Sequence, residues 1–146
     1  MTAKSIEILL VEDSQTDILM VREALAEAKL LNTIHVVRDG AAAMDFLHNM
    51  EPYTAAPRPD LILLDLNLPR KNGREVLAEI KADNRLKTIP VVVLTTSSAE
   101  EDIMSTYNLH ANCYVVKPVG FDGFLKAVQA ISHFWLSVVN LPHMEE

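Results

Sequence analysis

Leu61 to Leu64 form an unbroken run of four apolar residues that ends in a single carboxylate, Asp65. This stretch, PDLILLDLNLP from Pro59 to Pro69, constrains the fold more than any other. The run is short, and Pro59 on one side and Asp65-Leu66-Asn67 on the other fence it in. It therefore reads as a strand buried on both faces, which implies a parallel sheet covered by helices. Ligands of open α/β sheets bind at the carboxyl ends of the strands, and Asp65 stands at such an end, ahead of a turn containing Pro69 and Gly73. Taken alone, Asp65 reads equally well as a turn residue that merely caps the strand. The rest of the chain decides between the two.

Other segments repeat the pattern. Ile6 to Val11 is a second apolar run, and it too ends in carboxylates, Glu12 and Asp13. Ser14 offers an N-cap with Asp17 three residues on, and Ile18, Val21, Leu25 and Ala28 follow at helical spacing, so residues 15–29 read as an amphipathic helix. Thr33 to Arg38 is more mixed and suits a strand nearer the sheet edge. After an Asp39-Gly40 turn, Ala41 to Met50 reads as a helix with Ala43, Met44 and Leu47 inward. Residues 51–59, with three prolines, read as a loop. Arg74 to Lys81 reads as a helix burying Val76, Leu77 and Ile80. Pro90 opens a strand that ends at Thr95-Thr96. Ser98 and Glu101 form a capping box for the next helix, with Ile103 and Tyr107 on one face. Cys113 to Val116 is a fifth strand, ending at Lys117-Pro118. Phe121, Phe124, Leu125, Val128, Ile131 and Trp135 mark a fifth helix. The result is (βα) five times: an α/β fold with a doubly wound, five-stranded parallel sheet in the order 2-1-3-4-5.

Composition narrows the class. A chain of 146 residues suits one domain, 1–146, with its core at about residues 5–132 and an apolar C-terminal extension at 133–146. The net charge of −7 argues against nucleic acid as a direct partner. The single cysteine, Cys113, excludes an internal disulfide and fits a reducing compartment. No signal peptide and no apolar stretch of spanning length is visible, so a soluble, cytoplasmic protein without a membrane partner is expected.

The strand ends carry the chemistry. Glu12 and Asp13, Asp65, Thr95 and Lys117 would converge on one sheet edge. Two carboxylates about 4 Å apart repel by roughly 4 kcal/mol at an effective dielectric near 20. Clustered acids therefore call for a cation, and hard oxygen ligands suit Mg²⁺, with Mn²⁺ as an alternative. A carboxylate beside a divalent cation and a lysine is what an aspartyl-phosphate nucleophile needs. A lysine salt bridge closing an acidic pocket is the plainer reading. It suits these groups less well, because all of them lie at strand ends rather than along helix faces.

LLVEDS, LILLDLNLP with Gly73, VVVLTTS and YVVKP resemble the receiver domains of bacterial response regulators, in the right order and over nearly the whole chain. By that resemblance Asp65 is the phosphoacceptor and also a metal ligand, Asp13 a direct metal ligand, Glu12 a nearby acid acting mainly through water, and the Asn67 backbone carbonyl a further ligand. Thr95 is the switch hydroxyl, Tyr114 the aromatic residue that moves with it, and Lys117 the phosphoryl contact, with a cis Lys117-Pro118 peptide. Glu12 stands where Asp is more frequent, and Leu68 where Met is frequent. The implied function is phosphoryl acceptance from a sensor histidine kinase, with signalling through protein contacts. Such a module catalyses its own phosphorylation and dephosphorylation but is not a turnover enzyme.

The longer loop 51–59, the tail HFWLSVVNLP, DGAAAMDFL, GREVLAEIK and LHANCY look like the single-domain regulators that partner phytochrome histidine kinases. No output domain is expected after the fifth helix. The tail places Phe134, Trp135, Leu136, Val138, Val139 and Leu141, six large apolar residues, in eight positions. Such a patch points to a homodimer through the fifth helix and its extension; folding back over the chain's own core is the alternative. A phosphohydrolase of the haloacid dehalogenase type would want a second acid two residues after Asp65, where Asn67 stands. A nucleotide or flavin carrier would want a glycine-rich loop after the first strand, where Glu12-Asp13-Ser14 stands. The five histidines show no metal-ligand spacing and read as surface or helix residues.

Overall fold

The computed structural model describes residues 6–26, 32–95 and 113–116, with the backbone alone for Thr95 and 113–116. Its elements run β1 (Ile6–Val11), α1 (Gln15–Ala26), β2 (Asn32–Val37), α2 (Gly40–Leu47), β3 (Leu61–Leu64), α3 (Gly73–Ala82), β4 (Val91–Thr95) and β5 (Cys113–Val116). The strands form one five-stranded sheet in the order β2-β1-β3-β4-β5, and all four pairings are parallel. The expected topology is the observed one. The helices expected after β4 and β5, the tail and the Lys117-Pro118 peptide lie outside the described residues.

The sheet separates two cores, and the twofold pleat sorts the strand residues between them. Leu9, Val11, Ile62, Leu64, Val91 and Val93 pack with α2 and α3. Ile6, Ile8, Leu10, Leu61, Leu63, Val92 and Leu94 pack with α1. This is why β1, β3 and β4 read as near-continuous apolar runs: neither face meets water. β2 is the edge strand, and only Val37 in it is fully buried, as its mixed composition led us to expect. His35 lies in this edge strand, as expected for residues 33–38, and is partly buried. Its Nε2 is 2.6 Å from Glu7 Oε1 and its ring centroid 5.5 Å from that of Phe46.

Two helices differ at their ends from the sequence reading. α2 stops at Leu47 rather than running to Met50, because Asn49 adopts a left-handed backbone (φ 54°) that no α-helix continues through. Phe46, not expected inward, is buried and packs against Tyr53 of the following loop, with ring centroids 5.5 Å apart. α3 begins one residue before Arg74, at Gly73. Its N-cap is Asn72, which accepts from Glu75 N, while the Glu75 side chain accepts from Asn72 N, each at 3.0 Å. Such a cap contributes about 1 kcal/mol, and here it fixes the direction of the helix that follows Asp65. At the far end, Lys81 Nζ donates to the carbonyls of Lys87 and Ile89 at 3.1 and 3.3 Å. Burial there lowers the pKa of the ammonium.

Candidate functional site

The site is built by strand register. Val11 is paired with Leu64, so Glu12 and Asp65 stand side by side one residue past two adjacent strands. Both backbones are still held by the sheet: Glu12 N donates to Val37 O and Asp65 N to Val11 O, each at 3.0 Å. Carrying the pleat forward puts both side chains on the α1 face, since Leu10 and Leu63 point there. Both acids are buried, Glu12 3% and Asp65 8% exposed. Two carboxylates set one strand spacing apart, about 5 Å, would repel by roughly 3 kcal/mol at an effective dielectric near 20. Each carboxylate also accepts from the backbone amide two residues on, Glu12 Oε2 from Ser14 N at 3.1 Å and Asp65 Oδ1 from Asn67 N at 2.9 Å. These bonds turn both loops at the mouth of the site.

Asp13 is different. The ladder ends with Glu12, the chain leaves the sheet, and Asp13 is exposed at the rim of the edge. Among the described residues no group of three His, Cys, Asp or Glu side chains is gathered closely enough to cage a metal. The expected three-acid cluster is thus two buried neighbours and one rim acid. This donor set fits a hard cation that keeps several waters and uses one or two carboxylates, as Mg²⁺ does, better than one needing a complete protein cage. Asn67 is exposed beside it, at the start of the turn.

The loop after Asp65 is pressed into place by α3. Gly73 N donates to Leu66 O at 3.0 Å. A Cβ on Gly73 would lie 2.4 Å from the Asp65 carbonyl oxygen and 2.6 Å from Leu66 Cα. The glycine is there for close backbone approach, not for a positive φ.

On the other side, Leu64 is paired with Val93 and Thr95 with Val116. The backbone of Thr95 therefore reaches the same edge as Asp65. Tyr114 pairs with Val93 inside the sheet. Lys117, next after Val116, lies outside the described residues.

Sequence reasoning missed Arg38, which bonds the Asp13 carbonyl from the end of β2, and the Asn72 cap. The second was legible in the Asn72-x-x-Glu75 spacing; the first had no local signal. A cavity of about 380 Å³ lies at the opposite edge of the sheet, between the end of α2, loop 51–59 and Arg85-Leu86. It has no part in this chemistry.

Comparison with known proteins gives a consistent result. The response regulator receiver domain family matches residues 8–129. Response regulator Rcp1 of Synechocystis sp. is 53% identical over 135 residues, which is 92% of each chain. The crystal structure of the phosphorylated cyanobacterial phytochrome response regulator RcpA superposes with a TM-score of 0.93 at 51% identity, covering 95% of this chain and 99% of that one. The Mn²⁺-bound form of Rcp1 superposes with a TM-score of 0.91 at 52% identity, covering 94% and 99%.

Proposed function

The chain belongs to the response regulator receiver family, and from that membership we propose that it accepts a phosphoryl group on Asp65 from a phytochrome-type sensor histidine kinase and signals through protein contacts. The observation that carries this reading is the pair of buried carboxylates, Glu12 and Asp65, locked side by side at the carboxyl edge of the sheet. The phytochrome partner is supported by the likeness to phytochrome response regulators over nearly the whole chain.

An Asp65 oxygen attacks phosphorus, the phosphorus–nitrogen bond of the phosphohistidine breaks, and the imidazole leaves with the electron pair. The Asp65 Oδ1 bond to Asn67 N holds the carboxylate in one orientation during attack. Asp13, Glu12, Asp65 and the Asn67 carbonyl would hold Mg²⁺, or Mn²⁺ in its place, and the cation would supply charge neutralisation at the phosphoryl oxygens. Lys117 adds a second positive charge there. Thr95 donates to the phosphoryl group once it is in place, and Tyr114 moves with it. A hydrogen bond made in only one of two conformations is what shifts their populations. The protein works in the cytoplasm as a switch, with self-catalysed gain and loss of one phosphoryl group rather than turnover of a substrate.

The metal reading is tested with acetyl phosphate. Wild type is expected to take up one phosphoryl group only when Mg²⁺ is present. Asp13→Ala is expected to lose most of that metal response while melting at or above the wild-type temperature, since removing an acid relieves like-charge repulsion at the pocket. Equal labelling of wild type with and without the cation would sink the assignment.

The apolar residues Phe134 to Leu141 support a homodimer formed through the fifth helix and its extension, with phosphorylation read on that surface. Sedimentation checks this. Wild type is expected to sediment as a dimer, and a chain truncated after Ser132 as a folded monomer. A wild type that stays monomeric at high concentration, phosphorylated or not, contradicts it. Unfolding of the truncated chain supports a tail folded over its own core.

A further inference from the structure

Arg38 follows β2 directly and is exposed. Its guanidinium crosses to the β1–α1 loop, where Nη2 donates to the Asp13 backbone carbonyl at 3.0 Å and Nη1 to Gln15 Oε1 at 2.8 Å. The preceding residue, Val37, accepts from Glu12 N at 3.0 Å. Two consecutive residues at the end of β2 therefore grip two consecutive residues after β1: Val37 holds Glu12 through the backbone, and Arg38 holds Asp13 through its side chain. The chain has 20 acidic residues to 13 basic, yet among the described residues this guanidinium is directed at neutral oxygens of the β1–α1 loop and the first residue of α1 and not at a carboxylate. That pattern suits a geometric device better than an ion pair.

We propose that Arg38 is a positioning residue that sets the direction of the Asp13 carboxylate, and with it the affinity of the site for a divalent cation. The proposal rests on the reading of Asp13 as the acid that holds that cation. Among the described residues no sheet hydrogen bond fixes the chain past Glu12. The Ser14 N bond to Glu12 Oε2 closes the turn without holding Asp13 itself, so rotation about the Asp13 backbone would swing its carboxylate across the mouth of the site. A productive site holds its groups to within about 0.5 Å. The planar arginine fork supplies two fixed donors at once, and lysine cannot reproduce it. Charge alone has the opposite sign: a cationic side chain beside a cation site weakens binding, so its removal would tighten it. The two effects are therefore separable by substitution.

The test is Mn²⁺ titration of the full unphosphorylated chain, with free Mn²⁺ followed by electron paramagnetic resonance, for wild type, Arg38→Ala, Arg38→Lys and Asp13→Ala. Both Arg38 variants are expected to bind Mn²⁺ about tenfold more weakly, at the low end of the range for partners that orient metal ligands. Melting temperatures should stay near wild type, since the residue is exposed. Arg38→Lys retains the charge and much of the aliphatic stem, so it reports on the fork even if the alanine variant proves unstable. Wild-type affinity in Arg38→Lys, or unchanged or tighter binding in Arg38→Ala, would overturn the proposal. Wild-type affinity in Asp13→Ala would remove the reading of Asp13 beneath it, and the proposal with it.

Discussion

Asp65→Asn is expected to abolish phosphoryl uptake, with a fall in rate of more than about a thousandfold, because an amide in place of the carboxylate has no anionic oxygen to attack phosphorus. The change is nearly isosteric. The site sits where register and two backbone bonds place it: Asp65 N on Val11 O at 3.0 Å, and the side chain against Asn67 N at 2.9 Å. An asparagine oxygen can keep the second bond, so the variant should fold. It also removes one of two neighbouring buried acids, which should leave stability equal to or above wild type. The measurement is intact-protein mass spectrometry after incubation with acetyl phosphate and Mg²⁺, alongside a thermal melt. A variant that melts normally and is labelled as fast as wild type would move the phosphoacceptor elsewhere. Glu12, the adjacent buried acid, would be the first position to examine.

Gly73→Ala is expected to destabilise the protein by about 3 kcal/mol and to slow phosphorylation of the fraction that remains folded. Helix propensity by itself predicts the opposite, since alanine is favoured over glycine by about 1 kcal/mol inside a helix. Sterics decide the sign. The added Cβ would come within 2.4 Å of the Asp65 carbonyl oxygen and 2.6 Å of Leu66 Cα, both backbone atoms without a flexible end to give way. Relief requires either α3 or the loop after Asp65 to move, and the Gly73 N to Leu66 O bond at 3.0 Å ties the two together. For a domain of this size the loss corresponds to a fall of about 6–12 °C in melting temperature. A variant that melts at or above wild type would mean that the loop yields freely, and that α3 does not fix the Asp65 backbone.

Most of the fold was legible in one dimension. Apolar runs ending in polar residues, alternating with segments of helical period, leave a parallel doubly wound sheet as the simplest solution. In such a sheet all strand ends meet at one edge whatever the loops do. That is why Asp65, Glu12 and the backbone of Thr95 stand where the sequence placed them. The order β2-β1-β3-β4-β5 follows from the mixed composition of β2 at one side and the fully apolar β3 at the centre. Periodicity reports which face a residue lies on within an element, but it carries no information past the last ladder hydrogen bond. Only the tertiary structure separates Glu12, still bonded to Val37 and buried, from Asp13, one residue later and at the rim. The same limit hides the grip of Arg38 on the Asp13 carbonyl, made between residues 25 apart, and the approach of α3 to the Asp65 backbone that only a glycine allows. Contacts of that kind depend on how close two elements come in space, and no local pattern of residue types encodes that distance.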